Sequence, residues 1–346
     1  MSSAGGAPAA GMRLEELDTP VLVADLDAVE RNIARMQRYC DEHGLALRPH
    51  VKTHKLPEIA QLQLEAGARG ITCQKIGEAE VFVDAGFEDI LISFPLIGPA
   101  KIARLRALTE RARVCVAIDS DEGLDAVAGV DVDVLVECDT GGGRTGVQSP
   151  EAAAHLAGRA ERLQGLMTYP MPPGTKAWLG RALDLIGAVE TVSVGGTPTA
   201  RAAHELGIAT ELRVGTYVYG DRACIANGTA QLEDCALLVL ATVVSAPTRD
   251  RVILDAGTKA LTSDPAAGAE GHGLIVEYPE ADVRTLNEEH GIVDVSRCER
   301  PPRIGEQVSV VPNHACGTTN LYDEVVLHRG GAVVSTARIR ARGRIR

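Results

Sequence analysis

No stripe of lysine and arginine interleaved with aromatics runs through this sequence, and its 346 residues carry 47 acidic against 35 basic side chains, a formal net charge of −12. A surface of that sign repels phosphate backbones, which sets nucleic acid aside as a partner. No apolar run approaches the roughly 20 residues that span a bilayer. The longest, CALLVLATVVSA from Cys235 to Ala246, is rich in β-branched residues and reads as a buried strand, so no membrane partner is expected. The first residues lack a cationic start followed by an apolar stretch, so residues 1–12 read as a flexible lead-in rather than a secretory signal, and the protein is expected in the cytoplasm. The eight cysteines include no C-x-x-C pair, and several sit inside strand-like apolar runs, as free buried thiols do. A disulfide framework is not expected in a chain this long.

What is present is an ordinary globular composition, 45% apolar and 24% charged. Through the first two thirds one unit repeats: a short β-branched run, a turn, then an amphipathic stretch rich in Ala, Leu, Glu and Arg. The runs begin near Val21, Ala46, Gly70, Asp89, Val114, Val132, Leu163 and Thr191, with helices expected over 26–43 (closed by Gly44), 56–66 and 150–162 between them. Eight consecutive βα units predict an α/β fold, a closed (β/α)8 TIM barrel over 21–220, with its chemistry on the loops after the strands. Beyond about residue 210 the texture changes to strand-like runs without long helices. This predicts a second, mostly-β domain over 221–346, joined by residues 13–20, which come too early for the barrel.

The strand ends hold the reactive groups. RPHVKTHK, residues 48–55, gathers two lysines, two histidines and an arginine, with His50 and Lys52 expected on one side of a strand. A lysine facing a barrel mouth is poorly solvated and able to form a Schiff base; a solvated basic loop is the competing reading of this segment alone. After the sixth run comes DTGGGRTG with Arg144, able to meet an anionic oxygen. GGTP (Gly195, Gly196, Thr197) and GTYVYG (Gly215, Thr216, Tyr217) match the place near the end of a barrel where backbone N–H groups hold phosphate, although such turns are often only turns. Together they outline a pyridoxal phosphate site. In VPNHACGTTNLYD, His314 and Cys316 alternate on an extended segment and can reach one borderline-soft cation; two ligands suit a catalytic metal with open positions, against the alternative of a buried cysteine beside an ordinary histidine.

With these motifs in this order, and with LDTPVLVADLDAVERNI, CQKIGEAE, VILDAGTKA, NEEHGIV and a closing ARGR, the chain resembles the metal-dependent D-threonine aldolase and D-serine dehydratase branch of the fold-type III pyridoxal phosphate enzymes, whose N-terminal barrel is alanine racemase-like. The resemblance runs from about Leu17 to Arg344. It implies pyridoxal 5'-phosphate on Lys52, Arg144 beside the cofactor ring, and His50 and Gln74 lining the pocket. It also implies Gly195, Gly196, Thr197, Gly215, Thr216 and Tyr217 around the phosphate, Tyr169 near the reaction, and His314 with Cys316 on a divalent metal, zinc or manganese foremost. The implied substrates are β-hydroxy-D-amino acids, in a homodimer with shared active sites. Retro-aldol cleavage to glycine and an aldehyde is the expected outcome, because the TTNLYD tail looks like the aldolase form. Dehydration to a 2-oxo acid and ammonia is the alternative, because Cys316 looks like the dehydratase form; amino-acid racemisation leaves the His314/Cys316 pair unexplained. One departure stands out: the family pattern has a longer loop with a histidine after Tyr169, where this chain reads YPMPPGTKAW with none.

Overall fold

The computed structural model describes residues 8–346, so most of the expected lead-in over 1–12 lies outside the described residues. Its end is tied down: the Gly11 N–H donates to the Val333 carbonyl and the Val333 N–H to that of Met12, both at 2.8 Å. The chain forms two compact units. One comprises the described residues up to Ile33 with Thr216–Arg342, the other Ala34–Gly215 with Gly343–Arg346.

The first strand, β1 (Val21–Asp25), corrects the expectation from sequence. The repeat makes it the first barrel strand, yet it pairs with the strands Leu237–Thr248 and Glu324–Arg329 in the unit formed by the two ends of the chain. The barrel strands are β2 (Ala46–Leu47), β3 (Ile71–Cys73), β4 (Asp89–Ile92), β5 (Arg113–Ile118), β6 (Asp133–Cys138), β7 (Leu163–Thr168), β8 (Thr191–Gly195) and β9 (Glu211–Arg213). They pair in parallel in the order β2-β9-β8-β7-β6-β5-β4-β3. A parallel bridge between His50 and Thr72 joins the two ends of that series. The eighth strand is therefore β9, which the sequence reading passed over.

Short apolar strands buried on both faces are what a parallel sheet wrapped in helices requires, and Leu91, Cys115, Ala117, Leu135 and Met167 form one core cluster of this unit. The helix Leu26–Glu42 stops before Gly44, whose φ of +64° breaks the helix at no steric cost. Ser120 and Ser149 cap the helices Asp121–Val127 and Pro150–Arg159 by accepting the N–H groups of Gly123 and Ala152, each at 3.1 Å. Between β8 and β9 the crossover is a 3-10 run, Thr197–Leu206. Gly165 must lack a side chain, because a Cβ there would stand 1.8 Å from the Thr191 carbonyl oxygen.

Polar groups also fill the barrel. Arg48 donates to Glu211 (2.8 Å) and Asp89 (2.6 Å), the Ser193 hydroxyl to Glu211 (2.6 Å), and Arg213 to Ser193 and to the Thr168 carbonyl (both 2.8 Å). Burial disfavours the charged Arg48 guanidinium, and Glu211 and Asp89 more than offset it.

In the other unit, β10 (Leu237–Thr248), β11 (Arg251–Leu254), β12 (Gly273–Ile275), β13 (Asp282–Leu286), β14 (Gly291–Asp294), β15 (Gln307–Pro312), β16 (Glu324–Arg329) and β17 (Ala332–Arg338) follow the path β13-β14-β11-β10-β1-β16-β17, with β15 also on β10 and β12 on β15. Here β1 lies antiparallel to β10 and parallel to β16. Leu17, Val23, Leu240, Val326 and Val333 pack together beneath it, so the segment before β1 serves this sheet. Among the described residues, no helix is long and apolar enough to cross a membrane.

Candidate active site

At the barrel mouth the segment after β2 is a turn, so His50 and Lys52 meet by chain reversal rather than by the strand alternation expected. The Lys52 N–H donates to His50 Nδ1 at 3.4 Å, and Lys52 Nζ to Gln74 Oε1 at 3.3 Å. His50 Nε2 lies 3.1 Å from Gln74 Oε1 and 3.2 Å from Ser93 Oγ, while Gln74 donates to the Ser93 carbonyl at 3.1 Å. With Nδ1 accepting, this network assigns the ring proton to Nε2. Burial, then Lys52 and Arg213, push the His50 pKa well below its usual value, so the imidazole is neutral. The two lysines of the segment are sorted by their partners: Lys55 is buried and ion-paired to Glu78 at 3.4 Å, while Lys52 is half-buried against Gln74.

Arg144 is held at the end of β6. Asp139 Oδ1 accepts the N–H groups of Gly141, Gly142 and Gly143 at 2.9, 2.7 and 3.1 Å, curling the loop. A Cβ on Gly142 would meet the Tyr169 carbonyl oxygen at 2.8 Å, so the close approach these glycines permit is to the backbone after β7. The Arg144 guanidinium lies 4.9 Å from the centre of the Tyr169 ring and 3.6 Å from the Glu137 carboxylate. A Cβ on Gly196 (φ +114°) would press that same ring at 3.2 Å, and one on Gly195 would meet the Arg213 carbonyl at 2.9 Å. A Cβ on Gly215 would stand 2.9 Å from the His50 carbonyl oxygen. Lys52, His50, Gln74, Arg144, Tyr169 and these three glycines are thus linked around one mouth. Thr197 opens the 3-10 run after Gly196, and the Thr199 hydroxyl in that loop is buried with no hydrogen-bond partner among the described residues. A hydroxyl with a proton to give, in a glycine-lined loop beside a cationic mouth, fits a phosphate-bearing cofactor.

Two residues of this mouth were missed in the sequence reading. Arg213 is buried near His50, on a three-residue strand whose polar sequence, ELR, carries little apolar signal. Glu137 is buried, accepts from the Thr145 hydroxyl at 2.9 Å and has no partner for Oε2 among the described residues, with burial raising its pKa. Its position at the end of β6 was the available signal.

The other candidates lie in the second unit. Thr216 and Tyr217 form a 3-10 turn, and the Thr216 hydroxyl comes within 4.0 Å of Cys316 Sγ. His314 and Cys316 are adjacent, though not by alternation on an extended segment as expected. His314 occupies the position just before the helix Ala315–Thr319, and the first turn of that helix brings the thiol round to the imidazole. The Cys316 thiol, hydrogen-bonded to the ring, is the foremost cause that raises the His314 pKa to about 9, with Asp264 adding to it. Asp264 Oδ2 lies 2.6 Å from His314 Nδ1. Among the described residues no three His, Cys, Asp or Glu side chains form a metal cluster. An imidazole and a thiol side by side, the imidazole backed by a carboxylate, nevertheless make a donor set that suits a borderline cation with open positions.

The family models agree with this architecture. "Alanine racemase, N-terminal domain" matches residues 24–223, and "Putative serine dehydratase domain" matches 236–328. The chain belongs to the fold-type III pyridoxal phosphate-dependent enzymes with an alanine racemase-like N-terminal domain, in the branch of lyases that unites D-threonine aldolases with D-serine dehydratase-like proteins. Within that branch it is 39% identical to a D-threonine aldolase of Arthrobacter sp. over 96% of this chain and 95% of the relative. It is 35% identical to the D-threo-3-hydroxyaspartate dehydratase of Delftia sp. strain HT23 over 87% and 92%. The crystal structure of the D-threonine aldolase from Filomicrobium marinum superposes with a TM-score of 0.88 at 33% identity, covering 99% of this chain and all of that one.

Proposed function

We propose that the protein is a D-threonine aldolase-type lyase, cleaving β-hydroxy-D-amino acids to glycine and an aldehyde with pyridoxal 5'-phosphate and a divalent metal, zinc or manganese foremost. The observation that carries this reading is the full-length likeness to the Arthrobacter aldolase, 39% identical over 96% of the chain. When bound, pyridoxal phosphate supplies an electron sink for charge developing at the substrate α-carbon, and the divalent metal a Lewis acid for the β-hydroxyl.

The chain's own residues take the remaining roles. Lys52 carries the cofactor, and Gln74 accepts a hydrogen bond from its amine and holds it beside His50. His50 stays neutral beside that amine and shares the same Gln74 oxygen with it. Arg144, braced by Tyr169 and Glu137, offers a guanidinium to an anionic oxygen. Gly195, Gly196, Thr197, Gly215, Thr216 and Tyr217 serve the phosphate. His314 and Cys316 hold the metal. For cleavage a base takes the β-hydroxyl proton while the Cα–Cβ bond breaks. For dehydration Lys52 takes the Cα proton and hydroxide leaves. The dehydratase reading rests on Cys316 as second ligand and on the Delftia relative. The reading extends to a homodimer with shared active sites and to a cytoplasmic setting, which the eight free thiols favour.

The test is the product of D-threonine. Acetaldehyde with glycine in equal amounts, lost on chelation and restored by metal, supports the aldolase. 2-Oxobutanoate with ammonia would give the dehydratase reading in its place.

A further inference from the structure

We propose that Asp264 is the positioning residue of the metal pair: it holds His314 by Nδ1 and so turns Nε2 to the cation beside Cys316. The inference rests on the metal reading above and deepens it. A carboxylate only accepts hydrogen bonds, so the 2.6 Å contact between Asp264 Oδ2 and His314 Nδ1 keeps a proton on Nδ1 and makes Nε2 the nitrogen that gives up its proton to bind a metal. That choice fixes both the tautomer and the rotation of the ring.

The surroundings are built to keep Asp264 there. Its N–H donates to the Thr262 hydroxyl at 3.2 Å, so residues 262–264 close on themselves. Its carbonyl accepts from Asn313 Nδ2 at 3.0 Å, and Asn313 is the fully buried residue immediately before His314; the same amide donates to the Gly271 carbonyl at 2.8 Å. The backbone that carries the carboxylate is thereby hooked to the backbone that carries the imidazole. Gly317 completes the fit: a Cβ there would stand 2.6 Å from the Thr262 hydroxyl and 3.1 Å from Asp264 Oδ2. The glycine beside Cys316 is what lets the Thr262–Asp264 turn approach the pair.

The test is a metal titration of the full-length protein, loaded with pyridoxal phosphate, by competition of zinc against a chromophoric chelator. Wild type should bind one zinc per chain, and His314→Ala should bind none at the same concentrations. Asp264→Ala should bind one zinc with affinity about 10–100-fold weaker, and Asp264→Asn, which still offers an oxygen to Nδ1, should fall between. With cobalt in place of zinc, the thiolate-to-metal absorption should persist in Asp264→Ala and vanish in Cys316→Ser. An unchanged zinc affinity in Asp264→Ala overturns the proposal. So does total loss of binding in a variant whose circular dichroism and cofactor absorbance match wild type, since Asp264 would then be a ligand. If wild type itself binds neither zinc nor cobalt, the metal reading fails and this proposal falls with it.

Discussion

Replacing Glu211 by alanine should unsettle the barrel more than any exposed ion pair could. Both of its oxygens are used inside the barrel, one by Arg48 Nε at 2.8 Å and the other by the Ser193 hydroxyl at 2.6 Å, and its side chain is only 2% exposed. Truncation leaves the Arg48 guanidinium, 4% exposed, with Asp89 alone. It also strips the acceptor from Ser193, which in turn receives Arg213. Breaking one member of a buried charge network costs about 3–5 kcal/mol, because the surviving charge stays buried without its partner. For a unit of this size that is a fall of roughly 6–20 °C in the unfolding midpoint. Glu211→Gln keeps the shape and an acceptor oxygen, and should lose about 1–3 kcal/mol. The double variant Arg48→Met with Glu211→Leu removes both charges and should recover much of the loss, since Asp89 is partly solvated. Urea unfolding followed by circular dichroism measures all three. A cost under about 1 kcal/mol for Glu211→Ala would refute the view that this network is a dry, coupled element of the barrel.

Three other outcomes are expected. Gly165→Ala puts a methyl group 1.8 Å from the Thr191 oxygen at a φ of +155° and should cost more than about 3 kcal/mol, read from soluble yield and unfolding midpoint. Burial lowers the His54 pKa from 6.5 to about 3, so below pH 6.5 the unfolded chain takes a proton the folded one refuses, and stability falls with pH until about 3. Between pH 7 and 5 this residue alone should remove about 2 kcal/mol, and His54→Gln should flatten the loss in urea titrations at the two pH values. Gln74→Leu takes the acceptor from Lys52 and His50 and should weaken cofactor binding about tenfold, measured by titrating the visible absorbance; an unchanged affinity would separate Gln74 from the cofactor.

How much of this was legible follows from where side chains point. Runs such as Val132–Cys138 and Leu163–Thr168 are buried on both faces, so composition alone betrays them. The strand VLVAD of β1 carries the same signal because it too is covered on both sides; nothing local says that its partners are β10 and β16 rather than barrel strands. The opposite error came from β9. Glu211 and Arg213 point into a polar barrel interior, so a central strand reads as a loop. At the site, Lys52, Arg144 and the glycine loops stood out because each follows a strand. Asp264 did not, since it is fifty residues before His314 and only the fold joins them.

The proposed function rests on Lys52, of the lysines near the barrel mouth, as the residue that carries the cofactor. Reducing the pyridoxal phosphate-loaded protein with borohydride fixes the pyridoxyl group to the amine that holds it, and peptide mapping by mass spectrometry finds that amine. The label should lie on Lys52, one per chain, and should be absent from Lys52→Ala. A label on Lys55, which is ion-paired to Glu78, or on Lys75, whose ammonium sits over the Phe94 ring, would contradict the account, as would no label at all.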